Sequence, residues 1–171
     1  TRTSTRGTLM TTPRKVIIAN NTYYKTGMSA ILIEGDAEGW YESGPVKDVL
    51  IQNNIFIDCA YNGGPEYAVI ALNPSNTIID AAHPVHRNVR IIGNTFQTFG
   101  NPVLYAKSTE GLVFKDNKVT STLSPGDALQ KPVFILNGSK NVTIKDNILK
   151  GTFRENIVFR NMKKGFIKTD L

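Results

Sequence analysis

The sequence predicts an all-β protein, a right-handed parallel β-helix (solenoid) of about five coils, and three observations carry that expectation. One short pattern recurs five times, an apolar residue, a second two positions on and an Asn three further: Val16-Ile18-Asn21, Val49-Ile51-Asn54, Val89-Ile91-Asn94, Leu112-Phe114-Asn117 and Val142-Ile144-Asn147. The Asn-to-Asn intervals of 33, 40, 23 and 30 residues vary while the pattern inside each copy does not, which is what stacked coils with loop insertions leave in sequence. A second apolar run follows each copy, and helical periodicity is absent throughout.

The second runs are Ala30-Ile31-Leu32-Ile33, Val69-Ile70-Ala71-Leu72, Val103-Leu104-Tyr105-Ala106, Val133-Phe134-Ile135-Leu136 and a weaker Ile157-Val158-Phe159. Two short β-branched and aromatic strands per coil, separated by Asn, Gly and Asp, fit a fold in which each strand pairs with its equivalent one coil away. Alternation then assigns the faces. In the first sheet the pattern residues, Val16 to Ile144, form the core rows. The residues between them (Ile17, Ala19, Leu50, Gln52, Arg90, Ile92, Val113, Lys115, Thr143 and Lys145) are mixed enough to face water.

In the second sheet, with Glu34, Asn73, Lys107 and Asn137 equivalent, Ile31/Ile33, Ile70/Leu72, Leu104/Ala106 and Phe134/Leu136 point in. That leaves Ala30/Leu32, Val69/Ala71, Val103/Tyr105 and Val133/Ile135 pointing out. A row this apolar calls for a cover, either the remainder of a parent chain or a long loop of this one. The Asn closing each first strand is expected to turn inward at a corner, satisfy backbone groups left by the bend and bond its counterparts in a ladder. A left-handed conformation, which Asn tolerates, suits such a corner.

Composition bounds the function. At 171 residues, 40% hydrophobic and 20% charged, the chain has the makeup of a folded globular domain. No stretch approaches the roughly 18 apolar residues of a membrane span. The net charge of +6 is scattered, with only Arg14-Lys15 and Lys163-Lys164 adjacent, which reads as a solvated basic surface and not as a nucleic-acid site. Cys59 is alone and sits in an apolar run, so it is expected as a small buried residue without a disulfide. No Gly-rich phosphate cradle, Cys cluster or Gly-Xaa-Ser-Xaa-Gly elbow occurs, so no cofactor is implied.

Chemistry concentrates in the insertions. The first, Glu34-Gly35-Asp36-Ala37-Glu38-Gly39-Trp40-Tyr41-Glu42-Ser43-Gly44-Pro45, holds four carboxylates and the only Trp. A later one, from Asn73 to Arg87, carries Asp80, His83 and His86. Both leave the coil at one corner and are expected to stack as neighbours there. Trp40 and Tyr41 offer flat apolar faces for a sugar ring, and Glu42 and Asp36 acceptors for its hydroxyls. If the strand extends through Glu34-Gly35-Asp36, the two acids share a face about 6.6 Å apart, near the lower edge of the roughly 6.5–9.5 Å that an inverting glycosidase needs. Glu34 and Asp36 are therefore the candidate catalytic pair. The His83/His86/Asp80 spacing suits a metal ion on a helix, but this loop has none to align it, so both histidines are read as surface residues and no metal is expected.

With these residues in view, Arg6-Gly7-Thr8, the run from Asn21 to Ile33, the Gly35-Asp36-Ala37 step and Trp40-Tyr41-Glu42-Ser43-Gly44 resemble the later part of the catalytic β-helix of glycoside hydrolase family 110. The likeness is densest over residues 6–57. It implies a bacterial, inverting, exo-acting α-1,3-galactosidase acting on a galactose-terminated glycan in a secreted, periplasmic or cell-surface setting. It also implies that the paired catalytic aspartates lie on earlier coils, and that Trp40 and Glu42 touch sugar. The whole of 1–171 then reads as a single β-helix segment of a longer catalytic domain, inactive in isolation, with an open coil edge at its start. Two other classes compete: a non-catalytic β-helix glycan-binding or structural module of adhesin or tailspike type, and, last, a polysaccharide lyase, for which no basic residue stands near the acidic loop before Lys47.

Overall fold

The computed structural model describes residues 3–36, 44–63, 68–124, 126–128 and 130–171. All strand pairings among them are parallel, and each joins a strand to its equivalent in the next coil. The first sheet stacks Val16–Ala19, Val49–Gln52, Val89–Ile92, Val113–Lys115, Val142–Lys145 and a sixth strand, Ile167–Thr169. Val16, Val49 and Val89 stand in one row and Ile18, Ile51 and Ile91 in the next. The second sheet stacks Thr8–Met10, Ile31–Ile33, Ile70–Leu72, Leu104–Lys107, Phe134–Asn137 and Ile157–Arg160. This is the parallel β-helix the repeat predicted.

A third sheet was not anticipated. Thr22–Tyr24, Ile55–Ile57, Thr95–Thr98, Lys118–Ser121 and Ile148–Lys150 pair in order immediately after each ladder Asn. Each coil therefore has three walls instead of two. At the middle of these strands Phe56, Phe96 and Val119 are fully buried, with Tyr23 and Leu149 packed against the core at the two ends, and Thr98 and Ser121 are buried as well. The Tyr23 and Phe56 rings stack at 5.0 Å, and Phe56 and Phe96 at 4.7 Å, within 8° of parallel. Each such aromatic pair contributes about 0.5–1.5 kcal/mol beyond its buried area.

The core rows of the first sheet are as expected. Ile51, Ile91, Phe114 and Ile144 are fully buried, whereas Ile17, on the outer face, is 56% exposed. The second sheet corrects the face assignment. Ala30, Val69, Val103 and Val133 lie in the main core beside their neighbours Ile31, Ile70, Leu104 and Phe134. The chain enters this sheet around a corner, where consecutive amides of Ala30 and Ile31 both donate to the Val69 carbonyl, at 2.8 and 3.2 Å. Strict two-residue alternation starts only beyond that bend. The remaining outer row, Leu32, Ala71, Tyr105 and Ile135, forms its own cluster with Ala68. Tyr105 is 3% exposed, so this part of the row is covered within the chain itself.

The Asn ladder is continuous. Oδ1 of Asn54 accepts from the Asn21 backbone N–H at 2.9 Å and from its Nδ2 at 3.1 Å; Asn94 does the same for Asn54, Asn117 for Asn94 and Asn147 for Asn117. The same Nδ2 atoms reach carbonyls of the first sheet, as Asn94 does to Ile51 and Ile92. Left-handed backbone occurs one residue earlier than expected, at Asn20, Asn53, Gly93, Asp116 and Asp146. The preceding residue makes the turn, which leaves the ladder Asn free to project into the core.

Candidate functional site

The two large insertions leave the second sheet after Ile33 and after Leu72. The assigned strand stops at Ile33 and does not run through Glu34-Gly35-Asp36, which corrects the expected extension. Ladder-like bonding nevertheless continues: the Glu34 amide donates to Met10 O at 3.0 Å, Asn73 to Ile33 O at 2.9 Å and Ser75 to Gly35 O at 3.2 Å. Ser75 Oγ also donates to Gly35 O, at 3.0 Å. Glu34 and Asp36 are half-buried. Trp40, Tyr41 and Glu42 lie outside the described residues.

The first insertion returns at Gly44-Pro45-Val46, where it meets the second. Gly35, Gly44, Pro45, Pro74, Ser75 and Val85, with Asn76, line a recess of about 160 Å³ between the two. Arg87 N–H donates to Val46 O at 2.9 Å, and Val46 N–H donates to His86 Nδ1 at 3.2 Å. The second insertion also runs over later coils: Lys107 Nζ reaches Pro74 O at 2.8 Å, Lys140 Nζ reaches Ala82 O at 3.1 Å, and Ile79 lies against Gly138.

His86 corrects the reading of both histidines as surface residues. It is fully buried, because His86–Arg87 pairs with Thr109–Glu110 in a short two-stranded ladder beneath the insertion. Desolvation pushes its pKa from 6.5 down to about 4, so the ring is neutral near pH 7. With Nδ1 accepting from Val46, the ring proton sits on Nε2. His83, by contrast, is exposed, with Nδ1 2.7 Å from Asp80 Oδ2. A backbone hydrogen bond from Ala82, and then that to His83, hold Asp80 below the usual carboxylate range. Among the described residues no group of three His, Cys, Asp or Glu could hold a metal ion. Cys59 is buried and unpaired, with Sγ near the carbonyls of Tyr23 and Ile57.

A signal for the burial of His86 was available. Val46, His86, Thr109 and Ser139 each stand three residues before a first-sheet pattern residue, and all four are fully buried. This column is small or apolar except where His86 fills it.

A parallel β-helix with two stacked insertions at one corner is an architecture in which loops, presented by a rigid stack, make the working surface. Over its whole length the chain is 65% identical, across 173 aligned residues, to alpha-1,3-galactosidase A of Bacteroides fragilis, covering 29% of that protein. It is 41% identical over 167 residues to alpha-1,3-galactosidase B of Bacteroides thetaiotaomicron, a match covering 95% of this chain and 27% of the relative. It is also 41% identical over 147 residues to alpha-1,3-galactosidase B of Akkermansia muciniphila, covering 83% of this chain and 18% of the relative. No family model matches the chain. The resemblance to the α-1,3-galactosidases of glycoside hydrolase family 110 thus holds along the entire chain, which spans less than a third of these relatives. No helix among the described residues is long and apolar enough to cross a membrane.

Proposed function

We propose that this chain is a portion of the catalytic β-helix of an exo-acting, inverting α-galactosidase that hydrolyses terminal α-1,3-linked galactose, and that it contributes substrate-binding loops. The observation that carries this reading is the 65% identity over the full chain to a protein named alpha-1,3-galactosidase A. The corner where the two insertions meet supports it, because loops held by hydrogen bonds to a stacked scaffold can fix polar groups around a small polar ligand.

In this reading Trp40 and Tyr41 supply the apolar faces on which the galactose ring packs, and Asp36 and Glu42 accept from its hydroxyls. Glu34 and Asp36 remain the candidate acid and base within this chain, whereas the family resemblance implies that the paired catalytic aspartates lie on earlier coils of the parent protein. The parent chain adds coils to this segment, and the protein acts outside the cytoplasm of a bacterium on galactose-terminated glycans. The non-catalytic adhesin or tailspike-like alternative gains no support from relatives named as galactosidases.

The test is hydrolysis of an α-1,3-linked galactosyl disaccharide by the parent protein, followed by proton NMR. Inversion predicts β-galactose as the first product, and replacement of Trp40 by Ala should lower kcat/KM by about 10²-fold or more, the scale of a lost positioning contact. No hydrolysis, or α-galactose appearing first, overturns the reading. Unchanged kinetics in Trp40→Ala removes that loop from the mechanism.

A further inference from the structure

A groove of about 340 Å³ lies at the third corner of the coil, where the chain turns from the third sheet into the second. Lys25, Asp58, Tyr61, Phe99 and Thr122 line it. The second sheet separates it from the insertion corner, because each coil runs through the first sheet, the third sheet, this turn and then the second sheet. The lining comes from four successive coils: Lys25 N–H donates to Ile57 O at 2.9 Å, Asp58 N–H to Gln97 O at 3.0 Å and Thr122 N–H to Thr98 O at 2.9 Å. At about 4.8 Å per coil, Lys25 and Thr122 stand about 14 Å apart along the stack. The volume falls within the roughly 300–1,000 Å³ of small-ligand sites. Hydrogen bonds to the scaffold hold the walls. Tyr61 N–H donates to Thr26 O at 3.2 Å and Asn62 N–H to Gly27 O at 2.9 Å, which ties the second coil's turn to the first. Asn101 Nδ2 donates to Ala60 O and Thr98 Oγ1 to Asn101 O, which fixes the turn that carries Phe99.

We propose that this groove is a second carbohydrate-binding site, which holds a neutral oligosaccharide along the coil stack, away from the insertion corner. Tyr61 and Phe99, both half-buried, supply apolar ring surface for sugar faces. The half-buried Asp58 carboxylate makes no hydrogen bond or ion pair among the described residues, so it is open to accept from hydroxyls. Lys25 Nζ, 5.3 Å from the Tyr24 ring centroid, donates to them. Thr122 Oγ1 donates to Thr98 O at 3.3 Å, which leaves its oxygen able to accept. One negative and one positive lining charge cancel, so neither an anion nor a cation is favoured, and a ligand that both donates and accepts uses every polar group. An extended peptide would need an unpaired strand edge for its backbone, and the strands leading into the middle of the groove, Ile55–Ile57 and Thr95–Thr98, are paired on both sides. Asp58 is the one carboxylate among the described lining residues. The site therefore holds a glycan without the acid–base pair that would cleave it.

The test uses the full-length parent protein and lacto-N-neotetraose, a neutral tetrasaccharide whose terminal galactose is β-linked, so an α-galactosidase does not cleave it. Isothermal titration calorimetry should show saturable binding. Tyr61→Ala and Asp58→Asn should each weaken it by about 10-fold or more, while kcat/KM on an α-1,3-galactosyl disaccharide stays within about twofold of the wild type. Asn tolerates the left-handed backbone at position 58, where φ is +49°, so Asp58→Asn keeps the test decisive should Tyr61→Ala fail to fold. Trp40→Ala, on the first insertion, should leave binding of the tetrasaccharide unchanged. Binding that is lost in Trp40→Ala and intact in the groove variants overturns the inference, as does the absence of saturable binding up to about 10 mM sugar. Tighter binding of a capped tetra-alanine peptide than of the sugar overturns it too. A parent protein that binds the tetrasaccharide through Tyr61 and Asp58 but hydrolyses no galactoside overturns the galactosidase reading alone.

Discussion

The two polar corners of the coil solve opposite problems. At the Asn corner every coil presents the same residue in the same register, and each ladder amide finds its partners one coil away. At the insertion corner the coils differ, with the long returns after Ile33 and Leu72 replaced by Lys107-Ser108 and Asn137-Gly138 in the next two. There, among the described residues, Asn76 Oδ1 and His86 Nε2 are buried without a hydrogen-bond partner. Repetition satisfies polar groups because each residue's partner is its own copy. Where repetition breaks, no copy supplies the partner, and the insertion bonds to later coils instead.

The largest effect that sharpens this contrast is expected at the centre of the ladder. Asn94→Ala strands the Asn54 amide and the Ile51 carbonyl in the core, at a cost of about 3–5 kcal/mol for at least two unsatisfied groups. Asn21→Ala, at the exposed end, should cost only about 1 kcal/mol. Urea unfolding of the two variants gives the difference, and equal losses would mean that the ladder does not act as a stack.

Next comes the pH response of the insertion corner. The folded pKa of His86 is lowered from 6.5 to about 4, so the unfolded chain binds a proton that the folded one does not as pH falls between those values. Stability from this group is fully present above pH 6.5, declines between pH 6.5 and 4, and is then lost. The total is about 3 kcal/mol, from 2.5 units at 1.36 kcal/mol each. In His86→Phe that segment of the pH–stability curve should flatten, as chemical denaturation across pH 4–7 would reveal.

A smaller loss, about 1–3 kcal/mol, is expected for Gly138→Ala. Gly138 has φ of +61°, and a Cβ there would collide with Ile79, so both backbone strain and displacement of the second insertion contribute. The smallest effect belongs to Asp80→Ala: its partner His83 is 86% exposed, and no change in thermal midpoint should be measurable.

The repeat was legible because its Asn and its two core rows are constrained by every neighbouring coil. The third sheet was hidden by its brevity, since each strand is three or four residues long and follows directly on the ladder Asn. Its signal was a column: Tyr23, Phe56, Phe96, Val119 and Leu149 all stand two residues after the ladder Asn. His86 was read as a surface residue because His-Pro-Val-His looks like an exposed loop in isolation. Only its alignment with Val46, Thr109 and Ser139 places it inside. Residues on the insertions have no such copies, so their positions follow from hydrogen bonds between loops and not from any sequence period.

The most direct measurement is a crystal structure of the parent protein with galactose bound. The account predicts the sugar at the corner shared by residues 34–46 and 73–87. Galactose seated at the Asn corner, or on the outer face of the first sheet with this recess empty, would contradict it.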